Sequence, residues 1–158
     1  MSIIKSASIS KGDMQSECDI QWQNSMGYCF KGTKDFDEQD LKELFSSVGW
    51  LSANYPDRLV KAMRNSGTVI SVWEGAKLIG LINALDDGEM TAYVHYLLVR
   101  PDYQGMGIGK ELVEAIKEKY KTYLYIILIS EEKKSVEFYK KCGLQAAINA
   151  TPMEILNT

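Results

Sequence analysis

The run Val99-Arg100-Pro101-Asp102-Tyr103-Gln104-Gly105-Met106-Gly107-Ile108-Gly109-Lys110 constrains this chain more than any other stretch. Before it, Tyr93 to Val99 is apolar and alternating, which predicts a strand. After it, Glu111 to Lys117 has the spacing of an amphipathic helix. Three glycines at alternate positions therefore sit where a strand becomes a helix. Glycine lets the backbone approach a ligand with no Cβ in the way, and a helix N-terminus presents unpaired N–H groups. The expectation is an α/β chain whose strand-to-helix turn binds phosphate. The competing reading is a glycine-rich turn with no ligand, although three glycines cost backbone entropy that a plain turn does not require.

Two familiar phosphate loops fail on residues. A dinucleotide-binding loop needs G-x-G-x-x-G opening the first strand-helix unit. Here the glycines are 105, 107 and 109, late in the chain. A Walker A loop needs G-x-x-x-x-G-K-[ST]. Gly109-Lys110 supplies its end, but Gln104 stands for the first glycine and Glu111 for the hydroxyl residue.

A third pattern fits. Gln104-x-x-Gly107-x-Gly109, preceded by Val99-Arg100-Pro101-Asp102-Tyr103, resembles the signature of the GNAT superfamily of N-acetyltransferases. The resemblance implies an α/β (α+β) GNAT fold: a mixed, mostly antiparallel central sheet, helices on both faces, and a splayed parallel strand pair that holds acetyl-CoA. It implies that Gln104, Gly105, Met106, Gly107, Ile108, Gly109 and Lys110 surround the pyrophosphate, with a solvent-facing Lys110 as the other reading. It also implies that the backbone of Leu97, Leu98 and Val99 pairs with the pantetheine arm, their side chains being core. The segment Leu41-x-x-Leu44, Val48-Gly49-Trp50, Pro56-x-x-Leu59 and Asn65-Ser66 is similar to the plant and cyanobacterial serotonin N-acetyltransferase-like branch.

Composition narrows the classes further. The 158 residues suit one domain with a sizeable core, and 46% hydrophobic content argues against disorder. A net charge of −3 leaves no basic field for a nucleic-acid partner. No apolar run approaches the ~20 residues of a membrane span, and Met1-Ser2-Ile3-Ile4-Lys5 lacks a signal-peptide core. Cys18, Cys29 and Cys142 are odd in number and lack ligand spacing. With one histidine they fit a reducing cytoplasm and no metal site.

Residues 1–18 read as a flexible arm or an extra strand, and 19–158 as a single acetyltransferase domain. Ile20 to Phe30 is expected as a first strand. Asp35 to Val48 follows as a helix ended by Gly49, and a second helix is opened by Pro56. Strands are expected at Thr68–Trp73, Leu78–Leu85 and Thr91–Val99, and a helix at Ile108–Tyr120. Tyr123–Ile129 reads as a strand buried on both faces. A helix at Lys133–Cys142 and short strands at Leu144–Ile148 and Met153–Leu156 end the chain.

Acetyl transfer needs a held thioester, an uncharged amine, donors for the oxyanion, and a proton for the leaving thiolate. Ser135-Val136-Glu137-Phe138-Tyr139-Lys140-Lys141-Cys142-Gly143-Leu144 resembles the family's A-x-x-F-Y-x-x-x-G-F segment. The resemblance makes Tyr139 the proton donor; a core aromatic is the other reading. A phenol, with an unperturbed pKa of ~10, is protonated at neutral pH. Ser135 and Glu132 fall where the family contacts the cofactor, with Ser135 in place of Ala and Glu132 in place of a frequent Asn. His95 matches the place of a catalytic histidine in the animal arylalkylamine N-acetyltransferases. It is read as either the base or a satisfied core residue.

Trp50, Tyr55, Trp73, Tyr93 and Tyr96 are aromatic candidates for the acceptor side. Asp86, Asp87 and Glu89 are candidates for attracting a cationic amine or, more simply, turn residues. The leading expectation is direct transfer from acetyl-CoA to a primary amine of a small molecule. A non-catalytic acyl-CoA sensor and an enzyme acting on protein N-termini or lysines are the alternatives. Homodimers are common in the family; no residue here requires one.

Overall fold

The computed structural model describes residues 21–157. The reading of residues 1–18 lies outside them. Among the described residues, six strands form one sheet in the order of the chain. They are β1 (Gln21–Gln23), β2 (Cys29–Lys31), β3 (Thr68–Glu74), β4 (Lys77–Asp86), β5 (Thr91–Val99) and β6 (Tyr125–Leu128). Neighbours pair antiparallel, except β5 and β6, which are parallel. The helices are α1 (Glu38–Ser47), α2 (Pro56–Asn65), α3 (Ile108–Lys119) and α4 (Lys133–Lys141), with 3-10 turns at Leu51–Asn54 and Pro101–Tyr103. No described helix is long and apolar enough to cross a membrane.

The helices begin and end where the residues direct. Asp37 caps α1 by accepting the Gln39 N–H at 2.8 Å. Pro56 occupies the first turn of α2. The apolar stripes of α1 and α2, Leu41, Leu44, Phe45, Leu59, Val60 and Met63, pack on one face of the sheet against Val69, Leu78, Leu81 and Leu98. Leu112, Val113 and Ile116 of α3 pack on the other face with Ile70, Ile82, Ala92 and Val94, and α4 joins them through Phe138 and Tyr139. The expected mixed sheet between helices on both faces is therefore present.

Three expectations change. The first strand is a hairpin of two short strands, because Asn24 and Gly27 turn the chain. The Asn24 side chain accepts the Met26 and Tyr28 N–H groups, and Gly27 has φ 84°. β6 is an edge among the described strands, with Leu124, Tyr125, Ile127 and Ile129 exposed rather than buried on both faces. The same reason accounts for the third change. Leu144–Ile148 and Met153–Leu156 form no strand, so among the described residues no strand pairs with the outer edge of β6. After α4 the chain is tied back by Leu144 N–H to the Tyr139 carbonyl, and a strand is defined by a partner, which pattern alone cannot supply.

Candidate active site

β5 begins as a paired strand and ends as an open edge. Its pairing with β6 runs from Thr91 opposite Tyr125 to Val94 opposite Leu128, and stops there. On the other side, the Arg100 N–H donates to the Ile79 carbonyl at 2.8 Å. Alternation along an antiparallel ladder then turns the N–H and C=O of Val99 and Leu97 away from β4. The Val99 carbonyl accepts the Gln104 side-chain amide at 2.9 Å. Leu97 N–H and C=O and Val99 N–H thus lie on the unpaired edge. The side chains of Leu98 and Val99 are core and that of Leu97 is half-buried.

The edge leads into the glycine loop. Gly105 and Gly107 have φ 78° and 83°, a region L side chains rarely adopt, and a Cβ on either would meet open space within 4 Å. Gly107 is the N-cap of α3 and offers no capping side chain. The N–H groups of Ile108, Gly109 and Lys110 have no acceptor within the helix. Buried Ile108 anchors the turn, while Met106 and Lys110 are exposed. At Gly109 a Cβ would come within 3.3 Å of the Phe138 ring, so this glycine lets α4 close on α3. Glu111 is the acidic residue of the first turn of α3; its carboxylate accepts the Asn24 side-chain N–H at 2.9 Å.

Tyr139 is half-buried on α4 and lines a cavity of about 1050 Å³ with Ile82, Val94 and Leu128. Burial, then the neighbouring Cys142 thiol, pushes its pKa above the ordinary phenol value. Ser135 and Glu132 sit at the opposite end of α4: Glu132 is its exposed N-cap, whose carbonyl accepts the Ser135 N–H at 3.0 Å.

His95 stands with Tyr93 and Tyr96, ring centroids 5.8 and 4.1 Å away. His95 is exposed overall, and its partial burial pushes its pKa below the ordinary histidine value. Trp50 lies 5.7 Å from the Tyr96 ring, Phe45 packs edge-on behind it, and the Ser52 hydroxyl is 2.9 Å from the Tyr96 hydroxyl. Trp50, Tyr93, His95 and Tyr96 therefore converge on the face that carries α1 and α2. Trp73 does not join them: it stacks on Phe36. Tyr55 lies under Arg58. Asp86, expected in a turn, instead ends β4 opposite Ala92 and accepts the Tyr120 hydroxyl, while Asp87 and Glu89 lie in the turn before β5. Asp87 accepts the N–H groups of Glu89, Met90 and Thr91, and those bonds, Thr91 foremost, hold its carboxyl below the usual range.

Sequence reasoning gave no site role to Asn24, Ser52 or Asn83, and named Ser66 only within the Asn65-Ser66 segment of the branch resemblance. Asn83 carried a signal, as the one amide inside the apolar run Leu78-Ile79-Gly80-Leu81-Ile82-Asn83-Ala84-Leu85. Among the described residues, no group of three or more His, Cys, Asp or Glu side chains is placed to hold a metal ion.

Comparison with known proteins agrees with this geometry. The profile described as "Acetyltransferase (GNAT) family" matches residues 34–144. "Uncharacterized N-acetyltransferase ycf52" of Pyropia yezoensis is 32% identical over 116 residues, 70% of this chain and 66% of that protein. "GCN5-related N-acetyltransferase 2, chloroplastic" of Arabidopsis thaliana is 29% identical over 138 residues, 74% of this chain and 53% of that protein. The chain thus spans between half and two thirds of these relatives' length. Among solved structures, the "GNAT family protein SP0256" of Streptococcus pneumoniae superposes with a TM-score of 0.72 at 27% identity, covering 82% of this chain and 98% of that one. With the family profile over most of its length and the splayed strand pair and glycine loop in their places, the chain belongs to the GNAT acetyltransferase family.

Proposed function

We propose that this chain transfers the acetyl group of acetyl-CoA to the primary amine of a small molecule, both substrates being bound together. The observation that carries the reading is the open β5 edge running directly into the left-handed glycines at the start of α3. The residues present fit the cosubstrate. Ile108, Gly109 and Lys110 offer N–H donors and a helix N-terminus to a pyrophosphate. No Cβ stands over Gly105 or Gly107. The free groups of Leu97 and Val99 suit an amide-bearing arm, as a strand adds to a sheet edge. When bound, acetyl-CoA supplies an acetyl group activated as a thioester.

The chain's own residues supply the proton chemistry. Tyr139 keeps its hydroxyl proton at neutral pH and gives it to the leaving sulfur. His95, held neutral by burial, takes a proton from the incoming amine directly or through water. Trp50, Tyr93 and Tyr96 form an aromatic wall beside it, which favours an acceptor with a flat apolar body. The free thiols of Cys29 and Cys142 agree with a reducing, cytoplasmic setting.

The test is release of CoA thiol from acetyl-CoA across arylalkylamines, polyamines, aminoglycosides and short peptides, with mass spectrometry of the products. Gain of one acetyl group by an amine is the expected result. Binding of acetyl-CoA with no transfer to any acceptor would replace the enzyme by a sensor. Absence of binding would overturn the loop assignment.

A further inference from the structure

β5 carries one residue more than β4 can pair. Tyr96 faces Asn83 and Val94 faces Ala84, so His95 is the extra residue of a bulge. The bulge reverses the alternation of side chains. Ala92 and Val94 pack with α3 before it, and Leu97 and Val99 pack on that same face after it. His95 and Tyr96 consequently lie side by side on the opposite face. β5 parts from β6 at the same point.

A polar side chain inside an apolar strand holds this bulge. Asn83 is 2% exposed. Its Oδ1 accepts the Tyr96 N–H at 2.8 Å, and its Nδ2 donates to the Ser66 hydroxyl at 3.0 Å. That hydroxyl donates to the Ala62 carbonyl of α2 at 2.8 Å. Ser66, the C-cap of α2, is also 2% exposed. An aliphatic residue at 83 would serve a regular strand without the cost of burying an amide. Tyr96 is held at both ends, its N–H by Asn83 and its hydroxyl by Ser52. The second helix and the turn before it are thus tied to the one place where the β5 edge opens.

We propose that Asn83, oriented by Ser66, is a positioning residue for acetyl transfer: it holds the bulge that opens β5 and sets His95 and Tyr96 toward the acceptor. The inference rests on reading the site as an acetyltransferase, and the experiment separates the two. Asn83→Leu, Asn83→Asp and Ser66→Ala are compared with the unaltered chain by steady-state turnover, acetyl-CoA calorimetry and amide hydrogen exchange.

In Asn83→Leu, kcat falls about 30-fold, in line with the sensitivity of transfer to misplacement, while acetyl-CoA affinity changes less than about threefold. Its Tyr96 amide exchanges faster than in the unaltered chain. Asn83→Asp keeps an oxygen for the Tyr96 N–H and recovers most of kcat. A folded Asn83→Leu with unchanged kcat and Tyr96 protection overturns the proposal, as does loss of affinity in step with kcat. If Asn83→Leu does not fold, Ser66→Ala decides: a kcat about fivefold lower supports the proposal and an unchanged one overturns it. Should the unaltered chain acetylate no amine, the functional reading fails. The role in transfer falls with it, and exchange at Tyr96 then decides only whether Asn83 holds the bulge, loss of protection in Asn83→Leu supporting that contact and unchanged protection overturning it.

Discussion

Tyr139 and His95 are tuned in opposite directions by the same cause. Burial raises the phenol, so Tyr139 keeps its proton, and lowers the imidazole, so His95 sheds its own. Tyr139→Phe is expected to lower kcat about 100-fold with acetyl-CoA affinity unchanged, read by turnover and calorimetry. For His95 the sign follows from the lowered pKa. kcat/KM holds at neutral pH and declines on acidification as the imidazole takes a proton, below the ordinary histidine value of ~6.5. The pH profile of His95→Gln should lack that limb. Stability moves the same way, since the unfolded chain takes up the proton first as pH falls through that window. Glu111, in the first turn of α3, would oppose a phosphate held there under the proposed reading. Glu111→Gln should bind acetyl-CoA about threefold tighter, the size of one charge at a helix end. Tyr139 drew attention in the sequence because its segment resembles a family motif. The pairing of His95 with Tyr96 was not legible, because adjacent residues of a regular strand point to opposite faces.

At the scale of elements, α3 depends on the glycines before it. Gly107 at φ 83° caps the helix in the left-handed region. Gly107→Val therefore strains the backbone by about 1–3 kcal/mol and places a branched side chain where the phosphate would approach. Calorimetry should show acetyl-CoA binding reduced beyond detection, with the fold retained. The helices were readable because their stop and start signals are local: Asp37, Gly49, Pro56 and Gly143 act within a turn of themselves. The strands were less so. The β1–β2 hairpin hides in one apolar stretch, and the exposed edge of β6 depends on chain far along the sequence. The Asn83–Ser66–Ala62 connection likewise joins residues 17 and 4 positions apart in two elements.

Across the whole molecule, the sheet separates two apolar clusters, one under α1 and α2 and one under α3 and α4. Tyr120 ties the second to the strands. Its buried hydroxyl donates to Asp86 at 2.6 Å and accepts from Thr68 at 2.8 Å. Burial foremost, then the Asp86 bond, raises its pKa far above the ordinary phenol value. Its contribution to stability is thus complete below pH ~10 and is lost as pH rises above that, because the unfolded phenol ionises first. Tyr120→Phe should cost about 1–3 kcal/mol at neutral pH by leaving the buried side of Asp86 without a donor. Denaturant titrations across alkaline pH should then show a flatter fall in stability than the unaltered chain. The strand-to-helix loop, the order of the four helices and of β3 to β6, and the helix ends to within about a turn were determined by the sequence itself, since glycine conformation, capping and apolar period are properties of neighbouring residues. The open edge of β5 was expected only through the family resemblance, whereas the bulge at His95, the meeting of Trp50, Tyr93 and Tyr96 in one wall, and the exposed β6 were decided by the tertiary structure. Each depends on which strand lies beside which, and on a buried amide finding its partners across the sheet.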